Sequence, residues 1–301
     1  MKKTIYMAAI LLAGILWGSM PLFSNGMADL GFSPVQTSAA RLGVAALILF
    51  FVLAIFSPKS LCIKWRDLPL LLVIGVFSVF TMSALYMVSI QMTTGAVAAV
   101  LLYTSPIFIL IASVILFKEK LTPLKLLSLV LVVVGCVLVS GIVGSGANMN
   151  ALGVAAGLIS GIAYASYSIL GTYVLRRYSS MTVTAYAFLF AAIASLAIAD
   201  LPDMCVTVAA APKPVYAALL MLGLGTVTAV LPFTLYTYGL SRIEAGRAGI
   251  LACIEPMTAT LLSVLILREP CTGLQWAGIA LILAAVVLLQ CKKKENEDDR
   301  A

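Results

Sequence analysis

Apolar runs of about twenty residues, the length a helix needs to cross a bilayer, recur ten times along the chain. They cover approximately 5–25, 34–56, 68–90, 94–117, 123–142, 150–173, 181–200, 215–238, 245–267 and 273–291. Short stretches of charged and turn-forming residues separate them. Loops this short join neighbouring helices as antiparallel hairpins. Thr122-Pro123 shows the turn chemistry they need. Thr122 is placed as an N-cap, and Pro123 at the first helical position leaves no N–H unsatisfied.

Lys and Arg alternate with loop parity. With the N-terminus inside, the inner loops hold Lys59, Lys64, Arg66, Lys118, Lys120, Lys125, Arg176, Arg177, Arg242 and Arg247, while the outer loops hold only Lys213 and Arg268. That bias predicts both termini on the cytoplasmic side.

The two halves repeat. Leu85-Tyr86, Pro106, Ser113-Val114, Glu119 and Thr122 recur as Leu235-Tyr236, Pro256, Ser263-Val264, Glu269 and Thr272, at a constant offset of 150, which Gly75 and Gly225 share. Five helices per half is an odd number, so the second half enters the membrane inverted. The expected fold is an all-α integral membrane protein of about ten transmembrane helices in two inverted five-helix repeats, over 1–142 and 150–291. A charged tail over 292–301 should be disordered. Two inverted halves can exchange conformations around a substrate held near the midplane, which is the logic of a transporter.

Composition supports the membrane reading and removes rivals. Hydrophobic residues make up 62% of the 301 positions and charged residues 10%, against about 25% charged in soluble domains; mean hydropathy is +1.12. The net charge of +7 sits in loop clusters without interleaved aromatics, which argues against nucleic acid. There is no histidine, so no His metal site or Ser/His triad is available, and no metal site or cofactor is expected. The six cysteines show no CxxC pair. Cys205 and Cys271 both fall on the expected outer side, leaving a disulfide between them open. Met1-Lys2-Lys3 followed by an apolar run imitates a secretory signal, but no small-x-small site follows, so it reads as the first membrane helix.

Gly14-Ile-Leu-Trp-Gly-Ser19, Arg41, Tyr103-Thr-Ser-Pro106 and Phe117-Lys-Glu119-Lys-Leu-Thr-Pro123 resemble EamA-type proteins of the drug/metabolite transporter superfamily. So do Ile243-Glu-Ala-Gly246, Ile254-Glu-Pro256 and Leu267-Arg-Glu269-Pro in the second half. The resemblance covers nearly the whole chain. It implies a ten-helix bundle with both termini inside and a central cavity lined by both halves. Members of that family move amino acids, other metabolites and xenobiotics, often outward. Arg247 departs from the small polar residue expected there.

Charges within spans are costly, so they face a cavity or a partner. Glu255 lies near the midplane of the ninth span, and Arg41 nearer the outer end of the second. Arg41 could instead snorkel or sit in a fixed ion pair, and Glu255 could be a neutral hydrogen-bonded acid. Ser105 is the repeat counterpart of Glu255, and each precedes a proline that frees a carbonyl four residues back, on Leu102 and Ala252. Pro21 and Pro232 similarly free Trp17 and Thr228. Tyr164 and Tyr167 share a helical face, Trp17 is the approximate counterpart of Tyr164, and Tyr103 lies two residues before Ser105. Tyr86 and Tyr236 are candidate gates at opposite faces, with interface anchoring as the plainer alternative. Trp65 and Trp276 read as interface anchors, Glu119 and Glu269 as aids to the start of the next helix. Gly14, Gly18, Gly153, Gly157 and Gly161 read as close-packing positions within the bundle.

The expected function is a secondary transporter, of exporter type, moving a small metabolite or xenobiotic across the plasma membrane by alternating access. Its partners are a small-molecule substrate, membrane lipid and H+ as a candidate coupling ion, in a monomer or weak homodimer. With no Walker motif, ATP is not the energy source. A membrane-embedded enzyme or a non-transporting scaffold is the alternative; the enzyme lacks a nucleophile with a base, so no catalytic residue is assigned.

Overall fold

The computed structural model describes residues 2–143, 150–210 and 214–298. Among the described residues, eight helices are long and apolar enough to cross a membrane: α1 Lys3–Asp29, α2 Pro34–Phe56, α3 Trp65–Met92, α4 Gly95–Phe117, α6 Ala151–Val174, α7 Ser180–Ile198, α8 Pro214–Leu240 and α9 Ala245–Leu267. Two shorter apolar helices, α5 Pro123–Val139 and the apolar part of α10, Gly273–Leu289, complete ten. Seventeen residues reach about 26 Å, the lower limit of a span. No strand occurs among the described residues.

Two expectations need correction. The tail does not begin as disordered chain, because α10 continues as helix to Asp298. A short helix, Leu201–Ala210, also follows α7, where only a loop was expected. Lys213 and Arg300 lie outside the described residues. Cys205 and Cys271 are both free thiols.

Helix starts follow local chemistry. Ser33 and Gln36 form a capping box at α2, Thr94, Thr122 and Ser179 accept N–H bonds at α4, α5 and α7, and Asn150 does so at α6. The repeat extends to backbone detail. Lys118 and Arg268, one offset apart, both adopt the left-handed conformation (φ 54° and 57°). In each case the following glutamate N–H reaches back six residues, Glu119 to the Ser113 carbonyl and Glu269 to that of Ser263. This is the same helix-ending turn, used once in each repeat.

Cross-loop bonds show which loops share a face. Asp67, in the first turn of α3, accepts from Arg177 Nη1 at 2.6 Å and from the Tyr178 hydroxyl at 2.7 Å, both between α6 and α7. The α4–α5 turn meets the start of α9 through Glu119. These loops make one basic face. On the opposite face, Gln36 at the start of α2 donates to Asp203, after α7, at 2.8 Å. Trp65, 83% exposed, stands at the rim of the basic face as an anchor would.

The halves interlock. α1 packs on α8 and α9 of the second repeat, and α6 packs on α3 and α4 of the first. Glycine makes both approaches possible. A Cβ at Gly14 would stand 2.9 Å from the Ala252 carbonyl oxygen, and one at Gly18 2.6 Å from Thr258 Cβ. A Cβ at Gly161 would likewise stand 2.9 Å from the Leu101 carbonyl oxygen. These glycines therefore serve packing inside the bundle. The centre of the protein is built where the exchanged helices cross.

Candidate functional site

Five of the spans are interrupted at depth. α1 breaks at Ser19, between Lys2–Gly18 and Met20–Asp29. α4 and α9 break at the repeat-related residues Tyr103 and Cys253, one or two residues before Ser105-Pro106 and Glu255-Pro256. α3 and α8 carry π-helical turns, Ile74–Thr81 and Thr226–Val230, also at related positions. Irregular backbone at membrane depth persists only where protein or a cavity satisfies it, and in transporters such broken helices form the binding site.

Arg41 shows how one freed carbonyl is satisfied. It is 7% exposed and turned into the bundle. Its Nη2 donates to the Thr228 carbonyl at 2.6 Å and its Nε to Thr228 Oγ1 at 3.0 Å. That is the carbonyl which Pro232, lacking an N–H, cannot engage. The guanidinium also stands 5.9 Å from the Phe233 ring centre, an additional attraction for a cation. Arg41 is therefore turned into the bundle and forms no ion pair among the described residues.

Glu255 occupies the first turn of the helical segment Ile254–Leu262, resuming after the break at Cys253. A carboxylate there faces the positive end of the helix dipole. Arg41, Tyr103, Tyr86 and Tyr164 all stand within electrostatic reach of it. The separation of Arg41 and Glu255 nevertheless exceeds the 4 Å of an ion pair. A carboxyl group and a guanidinium are thus held in one cluster without direct contact.

Aromatic rings close the cluster toward the basic face. Trp17 packs edge-on to Phe233 (ring centres 5.0 Å apart) and to Tyr164 (6.4 Å), and tilts against Tyr236 (5.4 Å). Tyr167 packs edge-on to Phe233 at 5.2 Å. The Tyr236 hydroxyl shares a 2.6 Å hydrogen bond with Ser168, and that of Tyr167 a 3.0 Å bond with Thr237. These rings, with Ser78 and Met82, surround a narrow cavity. The Trp17 indole N–H is buried there without a partner among the described residues.

The sequence-selected residues Glu255, Tyr103, Trp17, Tyr164, Tyr167, Arg41, Tyr86 and Tyr236 thus gather in one region. Ser105 is buried next to the break in α4. Tyr236 is 2% exposed and lies in the aromatic layer, not at an opening, while Tyr86 is only half-buried. Sequence reading passed over Phe233, Thr228 as a side-chain partner, and Ser168. Pro232 next to Phe233 marked the spot, but ring packing cannot be read from spacing. Arg247 points away from the site, its Nη2 donating to the Leu289 carbonyl of α10.

Glu119 has a different role from the one expected. Thr122 alone caps α5. Glu119 instead accepts the Ala245 N–H of α9 at 2.9 Å and pairs with Lys125 at 3.3 Å, and Lys125 also pairs with Glu244 at 2.6 Å. The Glu119 and Lys125 side chains are each 8% exposed. This buried cluster ties the repeats together at the basic face. The related Glu269 on the opposite face is exposed, and its side chain makes no hydrogen bond or ion pair among the described residues.

With this arrangement in view, both repeats match the EamA-like transporter family, over residues 4–141 and 151–291. The chain belongs to that family. Relatives of this EamA-like chain are described as transporters: an uncharacterized transporter of Archaeoglobus fulgidus is 31% identical, with 93% of this chain and 94% of that one covered. The uncharacterized transporter YetK of Bacillus subtilis is 28% identical over 87% and 79% of the two chains. The uncharacterized inner membrane transporter YicL of Salmonella typhimurium is 25% identical over 96% of each. A crystal structure at 19% identity superposes with a TM-score of 0.78 over 96% of this chain and 98% of that one, the same fold. This EamA-like chain is a multi-pass membrane transporter.

Proposed function

We propose that the chain is a secondary transporter of a small metabolite, an amino acid or a related compound carrying both an ammonium and a carboxylate. A xenobiotic of the same charge pattern would fit the same site. The observation that carries this reading is the pair Glu255 and Arg41, opposite in charge, close enough to interact and too far apart for an ion pair. An ammonium would be held by Glu255 with Tyr103 beside it, a carboxylate by the remaining N–H groups of Arg41. Trp17 and Tyr164 would cover the apolar part and Trp17 would lend its unpartnered N–H.

The basic face is cytoplasmic on this reading, as the loop charges favour, in the plasma membrane with both termini inside. Alternating access is supported by an asymmetry. At the basic face the Glu119 cluster is engaged and Tyr236 is buried on Ser168; at the other face Glu269 is free and Tyr86 half-buried. The two halves thus hold one arrangement each of a pair they could exchange. Export is the direction the family resemblance implies.

Glu255 is the acid placed to carry a coupling proton. Glu255→Gln keeps size and hydrogen bonding and removes titration. In proteoliposomes with an imposed pH gradient, the variant should retain the parental Tm and lose gradient-driven accumulation. Substrate exchange without a gradient survives if the carboxylate serves coupling only, and disappears if it holds the ammonium. Full gradient-driven transport by the Gln variant would refute both roles.

A further inference from the structure

α2 and α8 diverge toward the basic face. α2 packs along α8 over Pro214–Gly225 and Thr226–Val230, and its main contact ends before Leu231–Leu240. The wedge between them is a cavity of about 940 Å³, floored by the end of α6 and the start of α7. Its walls are apolar, with Leu53, Leu175 and Leu235, and its rim carries Arg176 and Arg242 among serine hydroxyls, with no carboxylate in the lining. It shares no lining residue with the central cavity behind Tyr236.

The two guanidiniums are uncommitted. Neither forms an ion pair among the described residues, and Arg176 only overlies the Phe117 ring at 5.9 Å. The Thr234 hydroxyl, also in the lining, is buried without a partner among the described residues. The basic character is not inherited from the repeat. Arg242 corresponds to Met92 at the offset of 150, and Arg176 to Asp29 at the offset that relates Trp17 to Tyr164. The counterpart positions in the first repeat therefore carry no such pair of guanidiniums.

We propose that this wedge binds the phosphate headgroup of an anionic phospholipid, with the acyl chains following the apolar walls of α2 and α8 into the bilayer. Paired arginines suit phosphate oxygens in both charge and hydrogen-bond geometry. Tyr178 and Tyr238 in the lining suit headgroup depth. Basic pockets between helices on an anionic leaflet are known lipid sites. The assignment does not depend on which substrate the central cluster carries.

The test is native mass spectrometry of the purified full chain titrated with phosphatidylglycerol or phosphatidylcholine, with Tm recorded in parallel. Two surface arginines at about fivefold each give roughly 25-fold tighter binding of the anionic lipid. Arg176→Gln/Arg242→Gln should abolish that preference and the matching rise in Tm, and Arg176→Lys/Arg242→Lys should keep most of it. Equal binding of both lipids to the parent, or an undiminished preference in the Gln pair, would overturn the proposal. So would inorganic phosphate reproducing the Tm rise, because the site would then take a free anion and not a lipid.

Discussion

Glu119 of the first repeat takes the Ala245 N–H of the second at 2.9 Å, whereas the side chain of its counterpart Glu269 is exposed and engages no group across the repeat boundary among the described residues. One residue type at one repeat position is therefore seen in two conditions within a single molecule. The engaged copy pairs with the buried Lys125, which also pairs with the exposed Glu244.

Glu119→Gln should loosen the basic face without unfolding the bundle. A hydrogen bond to a charged group contributes about 1.5–3 kcal/mol, so its weakening should shift the balance between closed and open forms roughly tenfold or more. Spin labels at Lys120 and Arg242, both exposed, should report a new population at longer distance. Glu269→Gln should leave that distribution unchanged; an equal change in both variants would remove the asymmetry from the mechanism.

Arg41 and Pro232 should be coupled energetically through Thr228. Arg41→Met leaves the Thr228 carbonyl without its 2.6 Å donor and should cost about 1–3 kcal/mol. Pro232→Ala returns a backbone N–H to the same stretch. The double variant should recover part of that loss in thermal unfolding in detergent. Simple additivity of the two effects would mean that Arg41 is not there to serve the carbonyl.

Glycine substitutions should sort by what a Cβ meets. At Gly18 it would lie 2.6 Å from Thr258 Cβ and 2.9 Å from backbone atoms of Glu255 and Ala259. Gly18→Ala should therefore destabilise by about 1–3 kcal/mol, as overpacking does. At Gly43 nothing lies within 4 Å, and Gly43→Ala should be neutral or stabilising by up to about 1 kcal/mol. Thermal unfolding of the two variants side by side checks the ordering.

Orientation is open to labelling. On a cysteine-free background, cysteines at Lys64 and Arg177 should resist an impermeant thiol reagent in intact cells, and one at Asp203 should react. The reverse pattern would place the basic face outside.

Much of this was legible in the residues. The spans and the repeat follow from apolar run length and from a shared Pro, Glu and Thr in one register, and the breaks in α4 and α9 fall beside the prolines that signalled them. The carbonyl of Thr228 was marked by Pro232, but not that Arg41 would reach it, because the two are 187 residues apart in sequence. Glu119 was misread for the same reason. A helix-terminal glutamate beside Thr122 looks like a local cap, and only the crossing of the repeats brings Ala245 to it. The helical continuation to Asp298 is not evident from a run of charges, which reads as solvated coil, although Lys and Glu are good helix formers. Local chemistry was readable; cross-repeat contacts were not.

The exchange of α1 and α6 has a consequence for synthesis. α6 leaves the ribosome after α3 and α4, so its glycine face finds its seat already built. α1 emerges first, and the surface that receives Gly14 and Gly18 is the last but one to be made. Until α9 is inserted, the first helix must wait in lipid with a bare small-residue face. A chain cut short after α7 would keep one exchanged helix seated and leave the other orphaned, and quality-control proteases would meet that face exposed.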